Sequence, residues 1–240
     1  MNFKNKHAVI TGGANGIGRC IAESFLREGA AVSVVDIDKQ SHEGVQFYHG
    51  DIANKSVLEN FITSLAQPVD YLINNACIGR KGLLSDCSYE DFEYVQRVGV
   101  TAPYYLTSLL LKNNLFAPNA AIVNISSTRA FQSQPDTEAY SAAKGGIVAL
   151  THSMAVSLAG RVRVNCISPG WIDTSATPEH SEQDKRQHPS GRVGTPQDIA
   201  EMVLYLCSDK AGFITGENIT IDGGMSKLMV YHGDCGWRLE

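Results

Sequence analysis

The chain lacks the marks of several protein classes. Its six cysteines stand at 20, 77, 87, 166, 207 and 235, and no two form a C-x-x-C pair. No Cys/His cluster has zinc spacing, so a metal site is not expected. Scattered cysteines in a chain large enough to hold its own core read as reduced, mostly buried thiols. No apolar run reaches the roughly 18 residues a membrane span needs. Nor is there an excess of basic residues: the formal net charge of −5 disfavours nucleic acid or an anionic membrane as partner. Repeats, low-complexity tracts and linkers are missing. Met1-Asn2-Phe3-Lys4 leads straight into a strand-like segment with no signal-peptide pattern, so the expected location is cytoplasmic. With 43% hydrophobic and 19% charged residues, 240 residues suit one globular α/β unit.

The N-terminal pattern is specific. His7 to Thr11 reads as a short buried strand. It runs into Thr11-Gly12-Gly13-Ala14-Asn15-Gly16-Ile17-Gly18 and then an amphipathic helix to about Glu28. Strand, glycine-rich turn and helix are the context of a dinucleotide fingerprint. Gly12 permits the tight turn, Gly16 lets the backbone approach a pyrophosphate, and Gly18 allows close helix–strand packing. Asn15 and Ile17 lie in the same turn, whose helix end offers N–H groups and a positive dipole end to phosphate. A second strand, Ala31 to Val35, ends at Asp36, 18 residues beyond Gly18. An acid there hydrogen-bonds the adenosine ribose and repels a 2′-phosphate, so NAD is expected over NADP.

The rest alternates strand and helix. Val45 to His49 is a third strand, and only eight residues separate it from Asp36, too few for a full crossover helix. Asp51 and Ile52 follow at the adenine end, and Asn54 is placed to cap a helix to about Ala66. Asp70 to Asn74 is a fourth strand, leading to Asn75 at its carboxyl end. A long helix over 89–112 contains Gly99 and Pro103 and should be kinked or interrupted. Ala120 to Ile125 is a fifth strand ending near Ser127. Val162 to Ile167 is a sixth, leading to Ile172 and Thr174. Thr195-Pro196 opens a helix to about Ser208, and Glu217 to Ile221 is the last strand. The polar segment 175–191 reads as a lid or binding element with His180 and His188 on its surface. This pattern predicts an α/β, Rossmann-type, doubly wound parallel sheet flanked by helices, in a single domain over 1–240 with its core in about 5–225 and a tail over 226–240.

Tyr140 and Lys144 stand four residues apart in a predicted helix to about Leu158, so they share one face. A cation beside a phenol favours the ionised form and brings proton transfer into range near neutral pH. Ser127, 13 residues earlier at a strand end, can point into the same cleft.

Together these motifs resemble the compact, non-extended branch of the short-chain dehydrogenase/reductase family: TGGANGIG at 11–18, Asp36, NNA at 74–76, Ser127, Tyr140/Lys144, PGWIDT at 169–174 and ITIDGG at 219–224. The resemblance spans roughly residues 5 to 225. It implies hydride transfer between a small secondary alcohol or ketone and a nicotinamide. Tyr140 would be the general acid/base and Ser127 the donor that holds the substrate oxygen. Lys144 would assist Tyr140 and bind the nicotinamide ribose, Tyr140 would itself touch the cofactor, and Ile172 and Thr174 would bind the carboxamide. A homodimer or homotetramer built on the Tyr140 and 89–112 helices is expected. The sequence departs from the family pattern twice. Cys77 stands where the family has Gly, and Gly99 where it has the Asn that supports a proton-relay water. The vacated space at Gly99 would leave room for another water, and substrate choice would fall to 175–191 with Arg80 and Lys81. Two other readings stay open: a catalytically weak nucleotide-binding interaction protein, and a 3-oxoacyl-thioester reductase.

Overall fold

The computed structural model describes residues 1–40, 42–229 and 231. Seven strands form one sheet: β1 (His7–Thr11), β2 (Ala31–Asp36), β3 (Val45–His49), β4 (Val69–Asn74), β5 (Phe116–Ile125), β6 (Val162–Pro169) and β7 (Asn218–Ile221). Their order is β3-β2-β1-β4-β5-β6-β7, and every neighbouring pair is parallel. Strands are added outward to one side from β1 to β3 and to the other from β4 to β7, so the order switches between β1 and β4, which opens a crevice at their carboxyl ends. This is the expected doubly wound, Rossmann-like sheet.

The sheet is covered on both faces, which is why its central strands read as unbroken apolar runs. Side chains alternate between two cores. Ile10, Ile73 and Val123 join α1 (Gly16–Arg27) and α7 (Pro196–Cys207) through Phe25 and Val203. Val9, Leu72 and Ile122 join α2 (Lys55–Ser64), α4 (Ala102–Lys112) and α5 (Glu138–Ser157) through Phe61, Leu106 and Met154. Each fully buried side chain of this kind contributes about 1.5–3 kcal/mol.

Several boundaries differ from the sequence reading. β5 begins at Phe116 rather than Ala120, because Val69 pairs with Phe116 ahead of a register shift before Tyr71. Asn54 occupies the first position before α2, but its side chain makes no capping bond. The long helix is interrupted: α3 (Tyr89–Gln96) passes into a π-helical turn over Arg97–Thr101 and then α4. Gly99 lies inside that turn, and Pro103, which has no N–H to donate, stands at the start of α4 directly after it. Among the described residues no helix joins β2 to β3, as the short connection required. The segment 175–191 contains α6 (Glu182–Arg186), opened by a reciprocal capping box between Ser181 and Asp184. Of the tail, only residues 226–229 and 231 are described. No helix among the described residues is long and apolar enough to cross a membrane.

Candidate active site

The glycine turn is shaped by contacts only glycine permits. Gly12 has φ +69°, and a Cβ there would lie 2.7 Å from the Ala76 Cα. Gly16 has φ +54°, again a left-handed conformation suited to glycine. A Cβ at Gly18 would lie 2.0 Å from the Gly12 carbonyl oxygen. Asn75 ties this turn to β4. Its Nδ2 donates to the carbonyls of Gly12 (2.8 Å) and Thr11 (3.2 Å), and its own N–H donates to Thr11 Oγ1 (3.1 Å).

Above the turn lies a cleft of about 360 Å³, lined by Gly12, Asn15, Ile17, Gly18 and Thr174. Asn15 precedes α1 but does not cap it; its Nδ2 donates to Asp38 instead, at 2.8 Å. No acidic side chain stands in the first turn of α1. The helix therefore keeps free N–H groups and its positive dipole end, which suits a pyrophosphate. A dinucleotide fits this donor set.

The far wall of the cleft is acidic. Asp36 is nearly buried, and its carboxylate accepts from the N–H groups of Ala14 (2.8 Å) and Asp38 (2.9 Å). Those bonds fix its orientation and leave lone pairs for ribose hydroxyls. Asp51 and Ile52 complete this end. Asp51 accepts from the Tyr94 hydroxyl at 3.1 Å, and burial and this carboxylate push the Tyr94 phenol up. Cys77 is exposed in the same cleft, as the departure from the family glycine suggested.

A second cleft of about 550 Å³ opens at the ends of β5 and β6, lined by Ser127, Arg129, Tyr140, Trp171 and Ile172 among others. Ser127 is nearly buried, and its Oγ accepts from Arg129 N–H at 3.2 Å, so its own O–H is left to donate. Tyr140 sits in the first turn of α5. Lys144, one turn on, is buried with Nζ 5.5 Å from the Tyr140 ring centroid. One of its three N–H donors goes to the Ile125 carbonyl at 2.7 Å. Ser126 Oγ donates to the Lys144 carbonyl at 2.7 Å, which fastens α5 to the end of β5. A buried relay adds to this: Asn74 Nδ2 donates to Asn124 Oδ1 (2.8 Å), and Asn124 Nδ2 to Thr151 Oγ1 (2.9 Å). Two clefts thus lie at the carboxyl end of the sheet, one suited to a dinucleotide and one holding a hydroxyl and a phenol with a buried ammonium beside it, and the segment after β6 lines both through Thr174 and Ile172.

Comparison with known proteins agrees. The family model for enoyl-(acyl carrier protein) reductase matches residues 12–226. An uncharacterized oxidoreductase of Thermotoga maritima is 42% identical, covering 95% of this chain and 99% of its own. A solved apo SCOR enzyme from Clostridium thermocellum superposes with a TM-score of 0.89 at 46% identity, over 98% of this chain and 99% of that one. The chain belongs to the short-chain dehydrogenase/reductase family. It is thus an oxidoreductase by family, and the family uses nicotinamide cofactors. A more distant relative is the 3-oxoacyl-[acyl-carrier-protein] reductase FabG of T. maritima, 32% identical over 94% of this chain and 99% of its own.

In this short-chain dehydrogenase/reductase the sequence reading needs three corrections. His188 is not a surface residue. It is 2% exposed, packed 5.9 Å from the Trp171 ring, with Nδ1 bonded to the Asp184 carbonyl at 3.0 Å. His180 is half-buried and bonded to Asp173 at 2.7 Å. The Ser175 N–H first, and then His180, hold the Asp173 carboxyl below the usual range. The histidines are therefore struts of the 171–191 segment. Second, no room is left at Gly99: a Cβ there would lie 2.9 Å from the Ala143 Cβ, so the turn and α5 have closed on each other. Third, Arg80 does not face the Ser127 cleft. It lies 5.1 Å over the Tyr94 ring and pairs with Asp91 at 3.2 Å. Sequence reasoning also missed Asp38, Tyr94, Arg129 and Trp171. Asp38, Arg129 and Trp171 each had a local signal, standing within two residues of Asp36, Ser127 and Ile172; Tyr94 reaches its cleft only through the fold.

Proposed function

We propose that this protein is an NAD(H)-dependent oxidoreductase that moves a hydride between a secondary alcohol or ketone and the nicotinamide. The carrying observation is Tyr140 beside buried Lys144 in one cleft, with the segment after β6 lining both that cleft, through Ile172, and the cleft over the α1 turn, through Thr174. When bound, the nicotinamide supplies the hydride acceptor or donor. Ser127 O–H holds the substrate oxygen, and Tyr140 takes or gives its proton. Lys144 keeps a positive charge near the phenol, and its remaining N–H donors suit ribose hydroxyls. Such positioned acid–base help is worth about 10²–10⁴ in rate.

Asp36 and Asp38 support NAD as the cofactor. A 2′-phosphate would meet two carboxylates at the cleft wall, whereas Arg19, the nearest downstream cation, is already paired with Glu23 at 2.7 Å. The test is NADH formation across a panel of secondary alcohols by wild type and Tyr140→Phe. The variant should still bind NAD and lose about 10²–10⁴ in kcat. Tight NAD binding without turnover of any substrate would favour a nucleotide-binding interaction protein. A preference for NADPH would overturn the cofactor assignment.

A second reading, reduction of 3-oxoacyl thioesters, is favoured by the FabG relative; turnover of an acetoacetyl thioester exceeding that of free ketones would establish it. We also propose a homodimer or homotetramer through α5 and α4, where Val156 and Tyr104 are largely exposed. Sedimentation as a monomer at micromolar concentration would refute the assembly.

A further inference from the structure

We propose that Arg129 receives a carboxylate of the substrate, so that the cleft selects hydroxy acids and oxo acids over neutral alcohols and ketones. This rests on the reading of the Ser127–Tyr140 cleft as the substrate site. Arg129 is the one charged side chain among the described residues lining that cleft. Its guanidinium carbon lies 5.7 Å from the Tyr140 ring centroid, on a wall shared with Ser127.

The arginine's surroundings set it apart. Arg19, Arg80 and Arg192 each pair with a carboxylate. Arg129 has none within 4.0 Å among the described residues; its Nη2 donates to a neutral amide, Gln134 Oε1. A guanidinium carries five N–H donors, so a planar, two-toothed acceptor remains unprovided for. Arg129 is also half-buried, where an ion pair is stronger than at an open surface.

Its register is fixed. The short helical turn Thr128–Ala130 carries it, and the Arg129 N–H donates to Ser127 Oγ. The backbone that carries the arginine is thereby fixed beside the residue placed to hold the reacting oxygen, and the Gln134 bond and the Tyr140 ring orient its guanidinium. Arg129 lies over the Tyr140 ring and shares the cleft with Ser127, so the anion belongs only a few bonds from the carbinol carbon. Trp171, Ile172 and Met225 offer an apolar wall for the remaining carbon chain. One arginine matches the single charge of a carboxylate. A phosphate dianion would leave a charge unmatched.

The test uses lactate, 3-hydroxybutyrate and 4-hydroxypentanoate against their methyl esters. Two readouts are needed: turnover with NAD, and calorimetric binding to the protein–NADH complex. A charge-assisted hydrogen bond contributes about 1.5–3 kcal/mol, so wild type should prefer at least one acid over its ester by about 10–100-fold. Arg129→Gln should collapse that preference, chiefly through KM, and Arg129→Lys should restore part of it. Unchanged NAD affinity shows that the fold survives. If no acid binds better than its ester, the proposal is wrong. It is equally wrong if Arg129→Gln lowers acid and ester together and shifts the pH profile of both, because the arginine would then act through Tyr140. Arg129-dependent acid binding without any turnover would keep the carboxylate site and refute the oxidoreductase reading instead.

Discussion

Gly18→Ala tests the glycine turn most directly. The added methyl would stand 2.0 Å from the Gly12 carbonyl oxygen and 2.5 Å from Asn75 Nδ2. Carbon–oxygen contacts settle near about 3.3–3.6 Å, so α1 must move away from the turn by about 1 Å or more. The obstacle is backbone, and it cannot rotate aside as a flexible side chain would. Overpacking of this kind costs about 1–3 kcal/mol, and the rigidity of the obstacle puts Gly18 at the upper end. Displacing the Asn75–Gly12 bond adds about 1 kcal/mol. Replacing a helical glycine with alanine returns about 1 kcal/mol. The net loss of about 3 kcal/mol should lower Tm by about 6–12 °C in a chain of this size. NAD affinity should fall about tenfold or more, because the same shift moves the free N–H groups of α1. Gly145→Ala is the control. It makes a like exchange within α5, but the nearest contact is the Ala130 carbonyl oxygen at 3.9 Å, so Tm should rise by about 2–4 °C. Differential scanning calorimetry and NAD titration read both. If Gly18→Ala keeps wild-type Tm and NAD affinity, the close packing of α1 on the turn is refuted.

Other expectations follow from the same geometry. NAD should protect Cys77 from alkylation, because Cys77 is exposed within the dinucleotide cleft, whereas buried Cys166 and Cys207 should stay unlabelled in the folded protein; peptide mass mapping showing equal Cys77 labelling with and without NAD would place the nucleotide elsewhere. Stability should fall in alkali. Burial pushes Cys166 up to about 11 and raises Cys207 and Tyr71 as well. The folded state then holds protons that the unfolded chain releases from about pH 9, so stability present below that pH is lost as pH rises through 11, at up to about 1.4 kcal/mol per unit per group; flat urea midpoints between pH 8 and 10.5 would contradict this. Gly99→Asn should lower Tm and leave kcat no higher, since its Cβ meets Ala143 at 2.9 Å. Pairing it with Ala143→Gly should recover the loss, and a single variant that gains activity at unchanged Tm would show that the space exists after all.

Much of this protein is written in short-range pattern. The strand–glycine turn–helix of 7–27 needs only local backbone freedom and apolar periodicity, and the structure reproduces it. The alternation of strands and helices, the missing crossover before β3 and the interruption near Gly99 follow from spacing and residue type in the same way. The Tyr140–Lys144 spacing alone puts both side chains on one helical face.

What the sequence could not determine are contacts between segments distant along the chain. Asn75 grips Gly12 from 63 residues away because β1 and β4 lie side by side at the switch point. His188 is buried because Trp171 and the 184–188 turn close around it, although its neighbours in sequence are polar. Ala143 fills the space at Gly99 because α5 packs on the π-helical turn, which no local periodicity records. Arg129 reads as an ordinary surface cation until β5 and α5 bring it over Tyr140. Local pattern encodes which faces are apolar and where the backbone can bend. Which faces meet, and so which charges and hydroxyls share a cleft, is decided by strand order and helix packing.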